Sequence, residues 1–68
     1  MADSILTYKD RVIDERNSVQ IKIDRLDTFT RSESFALVPI AEQDRMTRQL
    51  HIMRQYRDVL NERIGAFS

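Results

Sequence analysis

Four side chains spaced seven residues apart, Tyr8, Glu15, Lys22 and Phe29, fall on one side of a helix and carry an aromatic ring and an ammonium group along it. A tyrosine ring offers a surface on which a nucleobase stacks, and a lysine or arginine neutralises a phosphate. Tyr8 and Lys22 are fourteen residues apart, which is about 21 Å of helix. One chain therefore cannot close both on a small ligand. Two chains crossing antiparallel can, because Tyr8 of one then meets Lys22 of the other, with Glu15 near the dyad. Such a crossing makes two equivalent corners suited to a ligand with two bases and two phosphates. Arg11 and Arg25 are further cations available to phosphate. The competing reading is packing alone, in which Tyr8 covers a core and Lys22 lays its alkyl stem over it.

Other chemistry is sparse. There is no nucleophile motif, glycine-rich phosphate loop or paired-histidine motif, and the single His51 cannot assemble a catalytic triad. We read the chain as a non-enzyme without cofactors. Asp24, Asp27 and Glu33 match no calcium loop and read as a solvated acidic edge, so no metal is expected. Met46 and Met53 fall at core spacing and read as core fillers, and Tyr56 reads as oligomer packing.

The elements that must position these groups follow from periodicity. Ile5, Val12, Val19 and Leu26 recur every seven residues as an apolar seam, widened by Leu6, Ile13 and Ile23. Glycine and proline are absent from Ile5 to Phe29, so one helix is expected there, capped by Asp3 or Ser4. The connection runs from Thr28 to Val38. Ser32 and Ser34 are its turn residues, Glu33 to Ala36 form a short helical turn, and Phe35, Leu37 and Val38 plug the hairpin end. Pro39 suits the first position of a second helix, Ile40 to Ile64, which Gly65 ends in a left-handed conformation. That helix carries two stripes. Met46, Leu50, Met53, Leu60, Ile64 and Phe67 face the first helix, while Gln49, Ile52, Tyr56, Val59 and Arg63 turn away from it. A helix apolar on two faces in so short a chain needs other copies of itself. The expected fold is all-α: one domain over residues 1–68, an antiparallel helical hairpin that assembles into a homo-oligomer.

Composition supports association. A chain of 68 residues without cysteine has no disulfide staple and buries only about 60% of its unfolded surface alone. Eleven basic and eleven acidic residues balance, which argues against duplex nucleic acid as a partner. With no basic leader and no long apolar run, the expectation is a cytoplasmic protein made at this size, with no membrane partner.

Three stretches carry a family resemblance: Tyr8-Lys9-x-Arg11-Val12-x-x-Glu15, Leu26-x-x-Phe29-x-x-Ser32-x-x-Phe35, and Gln49-x-x-x-Met53-x-x-Tyr56-x-x-Val59-Leu60-x-x-Arg63-Ile64. In this order, and over nearly the whole chain, they resemble the small phage proteins called anti-CBASS protein 2, sponges for the cyclic oligonucleotide messengers of a bacterial defence system. The resemblance implies a hexamer of helical hairpins in the host cytoplasm during infection. Its ligands would be cyclic dinucleotides such as 3′,3′-cyclic GMP-AMP, held between protomers and not cleaved, and cyclic trinucleotides in separate pockets. Tyr8 and Lys22 match the aromatic and lysine positions of the dinucleotide pocket, and Arg63 matches an arginine of the trinucleotide pocket. A threonine contact would fall to Thr28 or Thr30. Val38-Pro39 departs from the polar cap usual in that family. The alternative is a structural or adaptor hairpin that mediates protein–protein contact.

Overall fold

The computed structural model describes the backbone of residues 2–68 and the side chains of residues 8–68. It is an all-α hairpin: helix α1 (Ala2–Thr30), a 3₁₀ turn (Glu33–Leu37) and helix α2 (Ile40–Phe67). The molecule is a rod of 52 × 15 × 15 Å. The expected caps Asp3 and Ser4, and the seam residues Ile5 and Leu6, lie outside the described side chains.

Val12, Val19 and Ile23 of α1 and Leu50 and Leu60 of α2 are buried. Leu26, Met53, Ile64 and Phe67 pack against them. The expected α2 core stripe is therefore the one that faces α1. On α1, the second apolar row stands four residues after Val12 and Val19, at Ile23, where the sequence reading treated Ile23 as mere breadth. Three residues after them come Glu15 and Lys22, and burying either charge without a partner costs several kcal/mol. The helix turns Ile23 inwards instead. Arg16, in the same row as Ile23, escapes burial by donating to Asn61 Oδ1 at 2.8 Å.

The end of α1 needs no glycine. Thr30 Oγ1 donates to the Asp27 carbonyl at 2.8 Å and Ser32 Oγ to the Phe29 carbonyl at 2.6 Å, so hydroxyls satisfy carbonyls that the helix leaves unpaired. Phe35 then folds back on Phe29, edge to face, with ring centroids 6.1 Å apart. The helical turn falls where expected, but the plug is smaller. Leu37 is 86% exposed and does not close the hairpin, because the 3₁₀ turn aims Phe35 inwards and Leu37 out.

Two helix ends differ from expectation. Pro39 stands just outside α2, with ψ 140°, and its carbonyl accepts from the amides of Glu42 and Gln43, both at 2.9 Å. Gln43 Nε2 also donates to the Val38 carbonyl at 2.8 Å. The Pro39 carbonyl thus takes a first-turn amide that a capping side chain would otherwise accept, and the glutamine ties the helix start back to Val38. Gly65 does not end α2: it has no positive φ, and the helix continues to Phe67. The extra turn is held by Phe67, which packs on the core and on Tyr8.

Among the described residues, Leu60 is the most enclosed side chain, 1% exposed. Leu60→Ala is expected to cost about 2–5 kcal/mol in chemical denaturation. A Cβ at Gly65 would meet nothing within 4 Å, so Gly65→Ala is expected to stabilise the helix by up to about 1 kcal/mol, read as a raised melting temperature.

Candidate ligand-binding edge

The two long edges of the hairpin differ. One is laced by polar side chains crossing between helices: Arg16 to Asn61 at 2.8 Å, Arg57 to Gln20 at 3.3 Å, and Arg54 to Asp27 at 2.9 Å. Asp27 also holds Arg31 at 3.3 Å, which ties the end of α1 to the turn. Asp24 accepts from Gln20. Asp24 and Asp27, expected in a solvated acidic edge, are thus committed to neighbours, and the described residues contain no cluster of three metal-ligating side chains.

Among the described residues, the opposite edge carries no such hydrogen bonds between the helices. Here α1 presents Tyr8, Glu15 and Lys22 as exposed side chains with Phe29 half-buried. Toward the turn, Lys22, Arg25, Leu26 and Phe29 of α1 and Met46, Gln49 and Met53 of α2 line a shallow hollow of about 360 Å³. Its walls are largely apolar and its rim carries two cations. At the other end, Tyr8 is 47% exposed. The Arg63 guanidinium lies 5.8 Å from the Tyr8 ring centroid, within cation–π range. Phe67 meets the same ring edge to face, with centroids 6.0 Å apart and planes at 61°.

Of the residues singled out from sequence, the structure brings together Lys22 with Arg25, and Tyr8 with Arg63. Arg11 is exposed one turn beyond Tyr8. Thr28 is exposed, whereas Thr30 spends its hydroxyl on the Asp27 carbonyl. His51 is exposed beside Ile52, away from both clusters. Sequence reasoning missed Phe67 as a neighbour of Tyr8 and missed Leu26, Met46, Gln49 and Met53 as the lining beside Lys22. The heptad count had already placed Met46 and Met53 on the inward face of α2, the one available signal for that lining.

What the arrangement defines is a small helical hairpin with one sealed edge and one edge that offers rings, cations and a shallow apolar floor. Among the described residues, no helix is long and apolar enough to cross a membrane. The Sequestin family model matches residues 6–66, so the match takes in nearly the whole hairpin, and the chain belongs to the Sequestin family. It is 33% identical over 63 residues to an enterobacteria phage T4 protein, the uncharacterized 7.5 kDa protein in the denB-rIIB intergenic region. That alignment spans 93% of this chain and 98% of the phage protein. No solved structure matches the chain. The family name speaks of sequestration, which is binding rather than catalysis. Together with the phage relative it points to a phage sequestering protein, in agreement with the resemblance drawn from the three motifs.

The contact between Arg63 and Tyr8 is measurable alone. In a double-mutant cycle with Arg63→Gln and Tyr8→Leu, the coupling in unfolding free energy is expected to be about 0.5–1 kcal/mol. A coupling near zero means the two side chains do not meet in solution.

Proposed function

We propose that the chain sequesters cyclic dinucleotide messengers of the bacterial CBASS defence during phage infection, in the host cytoplasm, and returns them chemically unchanged. The observation that carries this reading is the open edge, where a stacking ring and a cationic hollow stand at opposite ends of α1. In an antiparallel pair of protomers, Tyr8 of one chain meets the hollow beside Lys22 of its mate. A base stacks on the ring while Lys22, with Arg25 or Arg11, neutralises phosphate. Symmetry forms each contact twice, so affinity rises without a large interface.

Assembly into a hexamer fits the apolar side chains left outside the hairpin core, among them Ile52 and Val59, 62% and 53% exposed, with Tyr56 between them on α2. Arg63 is the candidate contact for a cyclic trinucleotide in a separate pocket. By lowering the free messenger, the protein keeps the host effector unstimulated and performs no chemistry. A second reading, an adaptor hairpin, is favoured by the tip of the rod, where Leu37 and Ile40 are 86% and 82% exposed.

A thermal-shift assay with 3′,3′-cyclic GMP-AMP and cyclic tri-adenylate separates the two. A sponge is stabilised by several degrees, and an adaptor is not. Heating the complex and recovering intact nucleotide separates a sponge from an enzyme. Tyr8→Ala is expected to cost about 1–3 kcal/mol per stacked base, and Lys22→Ala to abolish dinucleotide binding. Native mass spectrometry should find both variants still assembled. If both fall apart into monomers, Tyr8 and Lys22 serve packing and the proposal fails.

A further inference from the structure

We infer that Phe67 is a positioning residue for Tyr8, holding its ring in the orientation a nucleobase stacks on. This rests on the proposed ligand reading for its effect on binding, though not for its effect on the ring.

Tyr8 lies near the start of α1, 47% exposed. An exposed aromatic side chain there would exchange between rotamers, and binding would have to immobilise it. Phe67 limits that exchange. It reaches Tyr8 from the last turn of α2 at 6.0 Å and 61°, the edge-to-face geometry that aromatic rings prefer. Phe67 is itself held from two sides. It packs against the core cluster, and Lys9 Nζ sits 5.5 Å from its ring centroid. The Tyr8 ring is therefore braced by a residue anchored to the core, while Arg63 lies over it. The continuation of α2 through Gly65 is what makes this reach possible, since a helix ending there would carry Phe67 away from α1.

The brace acts through Tyr8 and touches no ligand. Its removal should weaken binding by the cost of ordering one side chain, roughly 2- to 10-fold, and leave the hairpin folded.

The chain has two tyrosines and no tryptophan, so a Tyr56→Phe background makes Tyr8 the only tyrosine chromophore. In that background Phe67→Leu, which keeps apolar bulk, is expected to flatten the near-ultraviolet tyrosine circular dichroism while the far-ultraviolet helix signal persists. Its dissociation constant for 3′,3′-cyclic GMP-AMP is expected to rise by roughly 2- to 10-fold, and Phe67→Tyr in the unaltered chain should restore binding. Ile64→Val trims the neighbouring core packing but keeps both rings, and it should change neither readout. An unchanged tyrosine band in Phe67→Leu overturns the inference. So does an equal loss in Ile64→Val, because the effect would then belong to the helix end. If the parent binds no cyclic nucleotide, the proposed function falls, and the tyrosine band alone decides whether Phe67 orders Tyr8.

Discussion

Taking an unpaired carboxylate or ammonium out of water costs several kcal/mol, and α1 carries one of each where a regular coiled-coil seam would place its second apolar row. Glu15 and Lys22 follow Val12 and Val19 by three residues. The helix answers by turning Ile23 to the core and leaving the charged row at the edge. Everything distinctive about the hairpin comes from that rotation. The edge beyond Ile23 receives Arg16, Gln20 and Asp27, which lace to α2. The other edge keeps Tyr8, Glu15 and Lys22 in solvent.

The consequence is a narrow core in a long rod. Among the described residues, Val12, Val19, Ile23, Leu50 and Leu60 are the buried apolar side chains along a molecule 52 Å in length. Helices in proteins draw most of their stability from tertiary packing, and a strip this thin supplies little of it per residue. Ile52, Tyr56 and Val59 stay exposed on α2 although they are apolar. This is the physical ground for the proposed self-association. A further copy laid along that stripe covers apolar surface and rigidifies the same helices that present the ligand groups.

The hairpin was legible because a helix uninterrupted by glycine or proline leaves periodicity as the only signal to read. Both long helices and the inward stripe of α2 follow from it. The errors cluster where tertiary contacts override local preference. Gly65 carries a helix-ending preference worth about 1 kcal/mol, and packing of Phe67 outweighs it. Pro39 was placed one position too far into α2, since its carbonyl rather than its ring sets the helix start. Lys22 and Arg25 share a face by spacing alone, so their proximity was readable. The meeting of Tyr8 with Arg63 and Phe67 was not, because it depends on the register between two antiparallel helices. That register brings together pairs such as Arg16 with Asn61, which no periodicity announces.

A chain of zero net charge can still present cations at one site, because balance over the whole chain does not require balance at each edge. Asp27 pairs with Arg31 and Arg54, Glu42 with Arg45, Asp44 with Arg48, and Asp58 with Arg57. Among the described residues, Lys9, Arg11, Arg16, Lys22, Arg25 and Arg63 enter no such pair. Two groups of them, Lys22 with Arg25 and Arg63 beside Tyr8, stand on the open edge, separated along the hairpin and not in a continuous stripe. A long polyanion binds in proportion to the phosphates it can neutralise, and two separated groups engage few of them. In the proposed function, a compact anion with flat rings uses the same cations and also the apolar floor beside Lys22 and the face of Tyr8. Balanced overall charge then works in favour of selectivity, because it removes the general attraction that would fill the site with nucleic acid.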